Sequence, residues 1–279
     1  MLRGVTSAGL GSIESEERMI ELAAAYGFQA VDLDAAALIA RHGVDGARSL
    51  LQQHGIVLGA IGLPVEWRTT EEAFRQGLEK LATYAAAAAA LGGTSCCTYI
   101  LPSTDLKPAP FMAQAARRLR TCAQILGAYG IRLGLEFVGP HHLRTQWKHP
   151  FIWTLEETLD LIAVIGEPNV GLLFDAYHWY TNELNVVDIE KLRPEQIVHV
   201  HINDAPDVPV SEAADNQRLY PGEGVIDLAA FLQGLQKIGY TGVVAQEILT
   251  EAPPTESPEV LMQRSKAGFD RVFAAAGMA

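Results

Sequence analysis

Short apolar runs alternate with longer amphipathic stretches from one end of this chain to the other, and nothing else in the sequence narrows the fold as much. The apolar runs fall at residues 4–8, 30–33, 57–63, 95–101, 132–137, 170–174, 197–202 and 243–248. Helical patterning fills the gaps, for example at 16–26, 70–91, 110–129, 155–165 and 227–238. Helical stretches tend to close on glycine, as at Tyr26-Gly27, His54-Gly55, Tyr129-Gly130 and Ile238-Gly239. Glycine reaches the left-handed conformation that ends a helix at little cost. Eight strands, each followed by a helical segment, is the count of a (β/α)8 TIM barrel. The expectation is one such α/β domain over residues 1–279, because no Pro/Gly/Ser-rich linker divides the chain. An open doubly wound sheet is the alternative, but "AGLGSIES" after the first strand is a weak phosphate loop.

Composition excludes some classes. Lys plus Arg number 21 and Asp plus Glu 33, a formal charge of 21 − 33 = −12, which argues against a nucleic-acid groove. Cys96, Cys97 and Cys122 do not make a disulfide framework and read as small residues of a reducing compartment. No apolar signal-peptide core marks residues 1–11, and the longest apolar run, 85–91, is too short to span a bilayer. The expectation is a cytoplasmic protein with no membrane partner; its oligomeric state is open, with a homo-oligomer compatible.

In a barrel the functional groups sit at the C-terminal ends of the strands, so the strand ends are the test. The fifth strand, "IRLGLEF", carries Glu136, and the sixth, "VGLLFD", ends on Asp175. The seventh, "IVHVHIND", carries His201, with His199 two residues earlier on the same face, and the eighth, "GVVAQEIL", carries Glu247. An isolated carboxylate in such surroundings costs several kcal/mol unless it is neutralised or paired. Any one of these acids alone would read as a helix cap or an ion-pair partner. Together, on consecutive strands, they point to a shared cation. Three carboxylates and an imidazole suit Mn2+ best, with Mg2+, Co2+ and Zn2+ compatible.

The segments "LGLEF", "FDAYH", "HVHIND", "RLYPGEG" and "AQEIL" resemble the sugar phosphate isomerase/epimerase superfamily with a xylose-isomerase-like TIM barrel. That superfamily includes ketose 3-epimerases, hydroxypyruvate isomerases and inosose dehydratases. The resemblance implies Glu136, Asp175, His201 and Glu247 as metal ligands, with the two glutamates also moving protons. It implies His178 as a histidine directed at bound substrate and Arg218 as the arginine that steadies a developing oxyanion. His199 is then a residue behind the ligands or in the core. The expected activity is metal-dependent isomerisation or epimerisation of a small sugar or polyol-derived substrate, by proton transfer beside a carbonyl through a metal-stabilised enediolate. Dehydration of a keto-sugar or inosose is the alternative outcome, and a DNA-repair enzyme resembling apurinic endonucleases is a poorer one, given the acidic charge.

Loops should shape the pocket. "GLPVEWR" places Glu66, Trp67 and Arg68 after the third strand, with Glu66 and Trp67 as substrate-binding residues and Trp67 stacking on a sugar face or packing at the rim. The long segment 136–154 carries His142, Arg144, Lys148 and His149 and reads as a lid or binding loop. Its cations either meet an anionic group of the substrate or form a solvated strip.

Overall fold

The computed structural model describes residues 1–278. Eleven strands and ten α-helices follow one another along the chain. The strands are β1 (Leu2–Val5), β2 (Ala30–Val31), β3 (Val57–Leu58), β4 (Ile61–Gly62), β5 (Ser95–Ile100), β6 (Ser103–Thr104), β7 (Arg132–Phe137), β8 (His149–Pro150), β9 (Val170–Asp175), β10 (Ile197–Ile202) and β11 (Val243–Gln246). The helices are α1 (Glu16–Ala25), α2 (Ala35–His54), α3 (Glu71–Ala90), α4 (Pro108–Gly127), α5 (His141–Arg144), α6 (Leu155–Ile165), α7 (Ala176–Thr181), α8 (Val186–Glu190), α9 (Leu228–Lys237) and α10 (Pro258–Ala275).

Nine strands form one parallel sheet in the order β3-β2-β1-β11-β10-β9-β7-β5-β4. Its two ends, β3 and β4, are halves of the third expected strand, so the sheet curls round on itself and the eight-strand count holds. The expected single strand over 57–63 is broken at Gly59 and Ala60, where the chain leaves β2 and joins β5. The break has a chemical cause: the Ala60 N–H donates to the Asp32 carboxylate rather than to a neighbouring strand. The first strand is also shifted, ending at Val5 where the apolar pattern suggested Ala8.

The helices make an outer ring, with α1 against α2, α2 against α3, α3 against α4, α4 against α6, α9 against α10 and α10 against α1. Their starts follow the side chains: Ser15, Asp34, Thr70, Thr154, Asp227 and Ser257 each accept a backbone N–H of the first turn. Thr154 and Glu157 complete a reciprocal capping box that starts α6. Gly27 and Gly239 follow α1 and α9 with φ of 81° and 84°, where a Cβ would be strained.

Strand alternation decides what faces the barrel axis. On β9, Phe174 turns outward and stacks on Phe231 of α9 at 5.4 Å, while the next residue, Asp175, turns inward. Burying a phenylalanine ring of this kind contributes about 1.5–3 kcal/mol, and the tight packing fixes the strand that carries the acid. On β7, Leu135 and Phe137 are fully buried on either side of Glu136. The same alternation puts His199 and His201 on one face of β10 and the fully buried Val200 and Ile202 on the other.

Candidate metal centre and active site

Four side chains from four neighbouring strands meet at the C-terminal mouth of the barrel. Glu136 on β7, Asp175 at the end of β9, His201 on β10 and Glu247, one residue past β11, each offer a ligand atom, and these atoms all lie within 4.8 Å of one another. His201 Nδ1 is 3.5 Å from Glu247 Oε2 and 3.9 Å from both Glu136 Oε1 and Asp175 Oδ2. Asp175 divides its oxygens. Oδ1 caps α7 by accepting the Tyr177 N–H at 2.6 Å, and Oδ2 faces the cluster. The capping role and the cluster role therefore coexist in one carboxylate.

The cluster fits a divalent cation on two observations. Glu136 Oε1 and His201 Nδ1 are buried without a hydrogen-bond partner, although each points at the others. Orphaned buried polar atoms of this kind are rare and ask for an occupant. The charge balance agrees. Burial, then the negative neighbours Glu247 and Asp175, push the Glu136 carboxyl well above its ordinary range. Burial also works to raise Asp175 and Glu247, but the positive groups beside them outweigh it. For Asp175 these are led by Arg218, and for Glu247, held at about 2, by His201. The site lacks one positive charge at the point where Glu136 sits.

Arg218 and His178 stand behind the carboxylates. Arg218 is 3% exposed and donates from Nη1 to Asp175 Oδ2 at 3.1 Å and to Glu247 Oε2 at 2.8 Å. Its Nη2 donates to Asp215 Oδ1 at 2.8 Å, and its plane lies 5.2 Å from the Tyr177 ring centre. His178 accepts the Gly139 N–H on Nδ1 at 3.3 Å and turns Nε2 towards Arg218, 3.4 Å away, and Glu136, 3.8 Å away. Burial, first of all, lowers the His178 pKa, which keeps the ring neutral.

A cavity of about 500 Å3 opens over the cluster, large enough for one small ligand. Glu136, His201 and Glu247 line it, together with Asp32, Asp34, Cys97 and Thr98 and the larger side chains of Leu63, Pro64, Tyr84 and Tyr99. The Cys97 thiol is pushed far up by burial and the surrounding acids, so it lines the cavity as a neutral group.

Glu66 and Trp67 are not brought to this cavity. Trp67 is fully buried, stacks against Phe111 at 6.2 Å and donates its indole N–H to Thr98 Oγ1 at 3.1 Å. Glu66 is exposed and accepts the Arg68 N–H. The chain turns outward after β4, so the aromatic face expected to meet a sugar joins the core instead. The long segment after β7 forms α5 and then β8, which pairs antiparallel with β6. Arg144 is committed there, donating to the carbonyls of Gly139 and Thr181 and lying 3.7 Å over Trp153. His142 and Lys148 are exposed, and neither they nor His149 lines the cavity.

Several residues of the site escaped the sequence reading. Asp32 follows β2 directly and takes hydrogen bonds from His199 at 2.8 Å and His201 at 3.3 Å. The signal was the strand-end rule itself, applied to "AVDLD" as it was to the late strands. Asn203 bridges both Asp175 oxygens and the Glu247 carbonyl. Its place two residues after His201 put it within reach of the same logic. Asp215 lies in a loop with no pattern to betray it. His199, 1% exposed, lies beside His201 and meets Asp32 at 2.8 Å.

A parallel barrel with a carboxylate and histidine cluster at its mouth defines a class, and comparison with known proteins places the chain within it. The model of the xylose isomerase-like TIM barrel family matches residues 20–266, and the chain belongs to that family. A xylose isomerase domain protein from Alicyclobacillus acidocaldarius superposes with a TM-score of 0.91 at 37% identity, covering 99% of both chains. An inosose isomerase of Bacillus velezensis is 34% identical over 136 residues, 48% of this chain and 45% of that protein. A 3-dehydroshikimate dehydratase of Pseudomonas aeruginosa is 30% identical over 153 residues, 53% of this chain and 23% of that protein. The matched segment thus spans less than half the length of these curated relatives. Among the described residues no helix is long and apolar enough to cross a membrane.

Proposed function

We propose that this protein is a divalent-metal-dependent isomerase or epimerase of an uncharged keto-sugar or inosose-like polyol, working by proton transfer at the carbon beside the carbonyl. One observation carries the reading: Glu136 and Glu247 line the same cavity from strands on either side of Asp175 and His201, close enough to share one cation. Glu136, Asp175, His201 and Glu247 would hold that ion. When bound it supplies Lewis-acid polarisation of a substrate carbonyl.

The chain's own groups do the rest. A substrate carbon held between the two glutamates loses its proton to one, in its carboxylate form, and takes a different proton from the other, which starts protonated. This inverts the centre and leaves the two protonation states exchanged, to be reset by solvent. Return of the proton to the neighbouring carbon by a single glutamate gives isomerisation instead. Arg218, bonded to Glu247 Oε2, aims that carboxylate and keeps it ionised, the state a base needs. His178, between Arg218 and Glu136, keeps a neutral nitrogen beside the second glutamate. In this reading both act on the substrate from behind the carboxylates. The inosose isomerase relative makes inososes the first compounds to try.

The charge of the substrate follows from the lining. Asp32, Asp34, Glu136 and Glu247 line the cavity, and no lysine or arginine does. A phosphate or carboxylate held away from the cation would face like charges with no lysine or arginine to pair it, a cost of several kcal/mol in a partly dry site. The test is incubation of metal-loaded protein in D2O with ketoses and inososes, alongside phosphorylated and carboxylated counterparts. Deuterium should enter one carbon of an uncharged substrate. Exchange with anionic compounds alone would overturn the reading, and loss of water without exchange would move the protein to the dehydratases.

A further inference from the structure

We propose that Asp32, at the tip of β2, is a positioning residue that presents His201 to a cation at the barrel mouth through a hydrogen bond to Nε2. The inference rests on the metal reading of the cluster and adds a residue from the opposite wall of the barrel.

Asp32 Oδ2 lies 3.3 Å from His201 Nε2 and 2.8 Å from His199 Nε2, while Oδ1 accepts the Ala60 N–H at 2.9 Å. A backbone N–H and two imidazoles converge on its two oxygens, so the carboxylate is placed to accept on both. An ionised carboxylate only accepts, so the nitrogen facing it must carry the proton. With Nε2 protonated, the lone pair of a neutral His201 ring is left on Nδ1. That is the atom that points at Glu136, Asp175 and Glu247 and has no partner of its own. Asp32 thereby selects both the tautomer and the ring orientation.

The fold goes to some length to hold Asp32 there. A Cβ on Gly59 would lie 2.2 Å from Asp32 Oδ1, so only glycine leaves room for the carboxylate. The strand pairing breaks at this residue and the next, and the break aims the Ala60 N–H at Asp32. His199, one pleat deeper than His201, pins the oxygen that His201 uses. Groups from β2, from the gap between β3 and β4, and from β10 converge on one carboxylate whose remaining neighbour is a metal-ligand histidine.

Asp32, His199 and His201 also lie within 4.8 Å of one another as a set that could itself hold an ion. The direct hydrogen bonds from both rings to Asp32 occupy that space, so the two arrangements exclude each other and make different predictions.

The experiment measures Co2+ affinity by chelator competition, metal stoichiometry and the visible Co2+ spectrum for the wild type and Asp32→Asn. The wild type should take up one Co2+ per chain. Asp32→Asn should still take up one, with affinity lower by about 10–100-fold and a shifted spectrum, because the imidazole loses its anchor. Unchanged affinity and spectrum would overturn the proposal, and so would two ions in the wild type and one in the variant, which would make Asp32 a ligand. If the wild type takes up no Co2+, the metal reading falls and this proposal with it. Nitrogen NMR of the wild-type imidazoles with Zn2+ covers the case in which the variant does not fold. With Zn2+ bound, His201 Nε2 should carry a proton and Nδ1 none, and a bare Nε2 in that state would refute the assignment.

Discussion

Replacing Arg218 with glutamine tests how the site balances its charge. The guanidinium is buried and holds three carboxylates at once, Asp175 at 3.1 Å, Glu247 at 2.8 Å and Asp215 at 2.8 Å. Burial works against the charged form, but those acids outweigh it and raise the Arg218 pKa further. Glutamine reaches one acid and brings no charge. In the chelated protein the variant leaves buried carboxylates without a counter-ion, a loss of about 3–5 kcal/mol by comparison with other broken buried pairs. A domain with a stability of about 5–15 kcal/mol survives that loss. The melting temperature should fall by roughly 6–20 °C, at about 2–4 °C per kcal/mol for a chain of this size. Adding Mn2+ should recover a large part of the difference, because Asp175 and Glu247 regain a positive neighbour and only Asp215 stays unpaired. Turnover should also drop even when metal-loaded, because Glu247 loses the group that aims it and helps to keep it ionised. The assay is denaturant and thermal unfolding of both proteins in chelator and in saturating Mn2+. A loss under about 1 kcal/mol in chelator would refute the reasoning, given the 3–5 kcal/mol expected for a broken buried pair. So would an equal loss with and without metal.

Three further outcomes follow. Metal uptake should release protons and tighten as pH rises, because burial and its acidic neighbours hold the metal-free Glu136 carboxyl protonated, and a ligand must give that proton up; calorimetry in buffers of different ionisation enthalpy reads the release, and pH-independent affinity would contradict it. Glu136→Gln and Glu247→Gln should each keep most metal affinity while losing one direction of solvent deuterium exchange, and wild-type turnover in both metal-loaded variants would place the base elsewhere. Trp67→Phe should lower stability by about 1–2 kcal/mol through lost packing and the lost hydrogen bond to Thr98, with KM unchanged; a raised KM at unchanged stability would return Trp67 to the substrate.

The barrel was legible in the sequence because its signals are local and repeated. Strand and helix periods differ, helices end on glycine, and the alternation runs the length of the chain. Glu136, Asp175, His201 and Glu247 were legible for a related reason: charge at the tip of an apolar strand is expensive, so it stands out against its own neighbours. That argument names residues but not their company. Arg218 was expected to face substrate, and only the folded chain shows its donors taken by Asp175, Glu247 and Asp215. Trp67 reads as a loop aromatic, and the outward turn after β4 buries it against Phe111. Asp32 stands at a strand tip like the others, yet its partner His201 is 169 residues away, and the broken third strand that makes room for it depends on a hydrogen bond no local pattern encodes. Which residues carry charge, and at which end of which strand, is written in the order of the chain. Which of those charges satisfy one another is settled by closing the sheet, because ring closure brings β2 and the β3–β4 break against β10 and leaves one nitrogen and one carboxylate oxygen unsatisfied at the mouth.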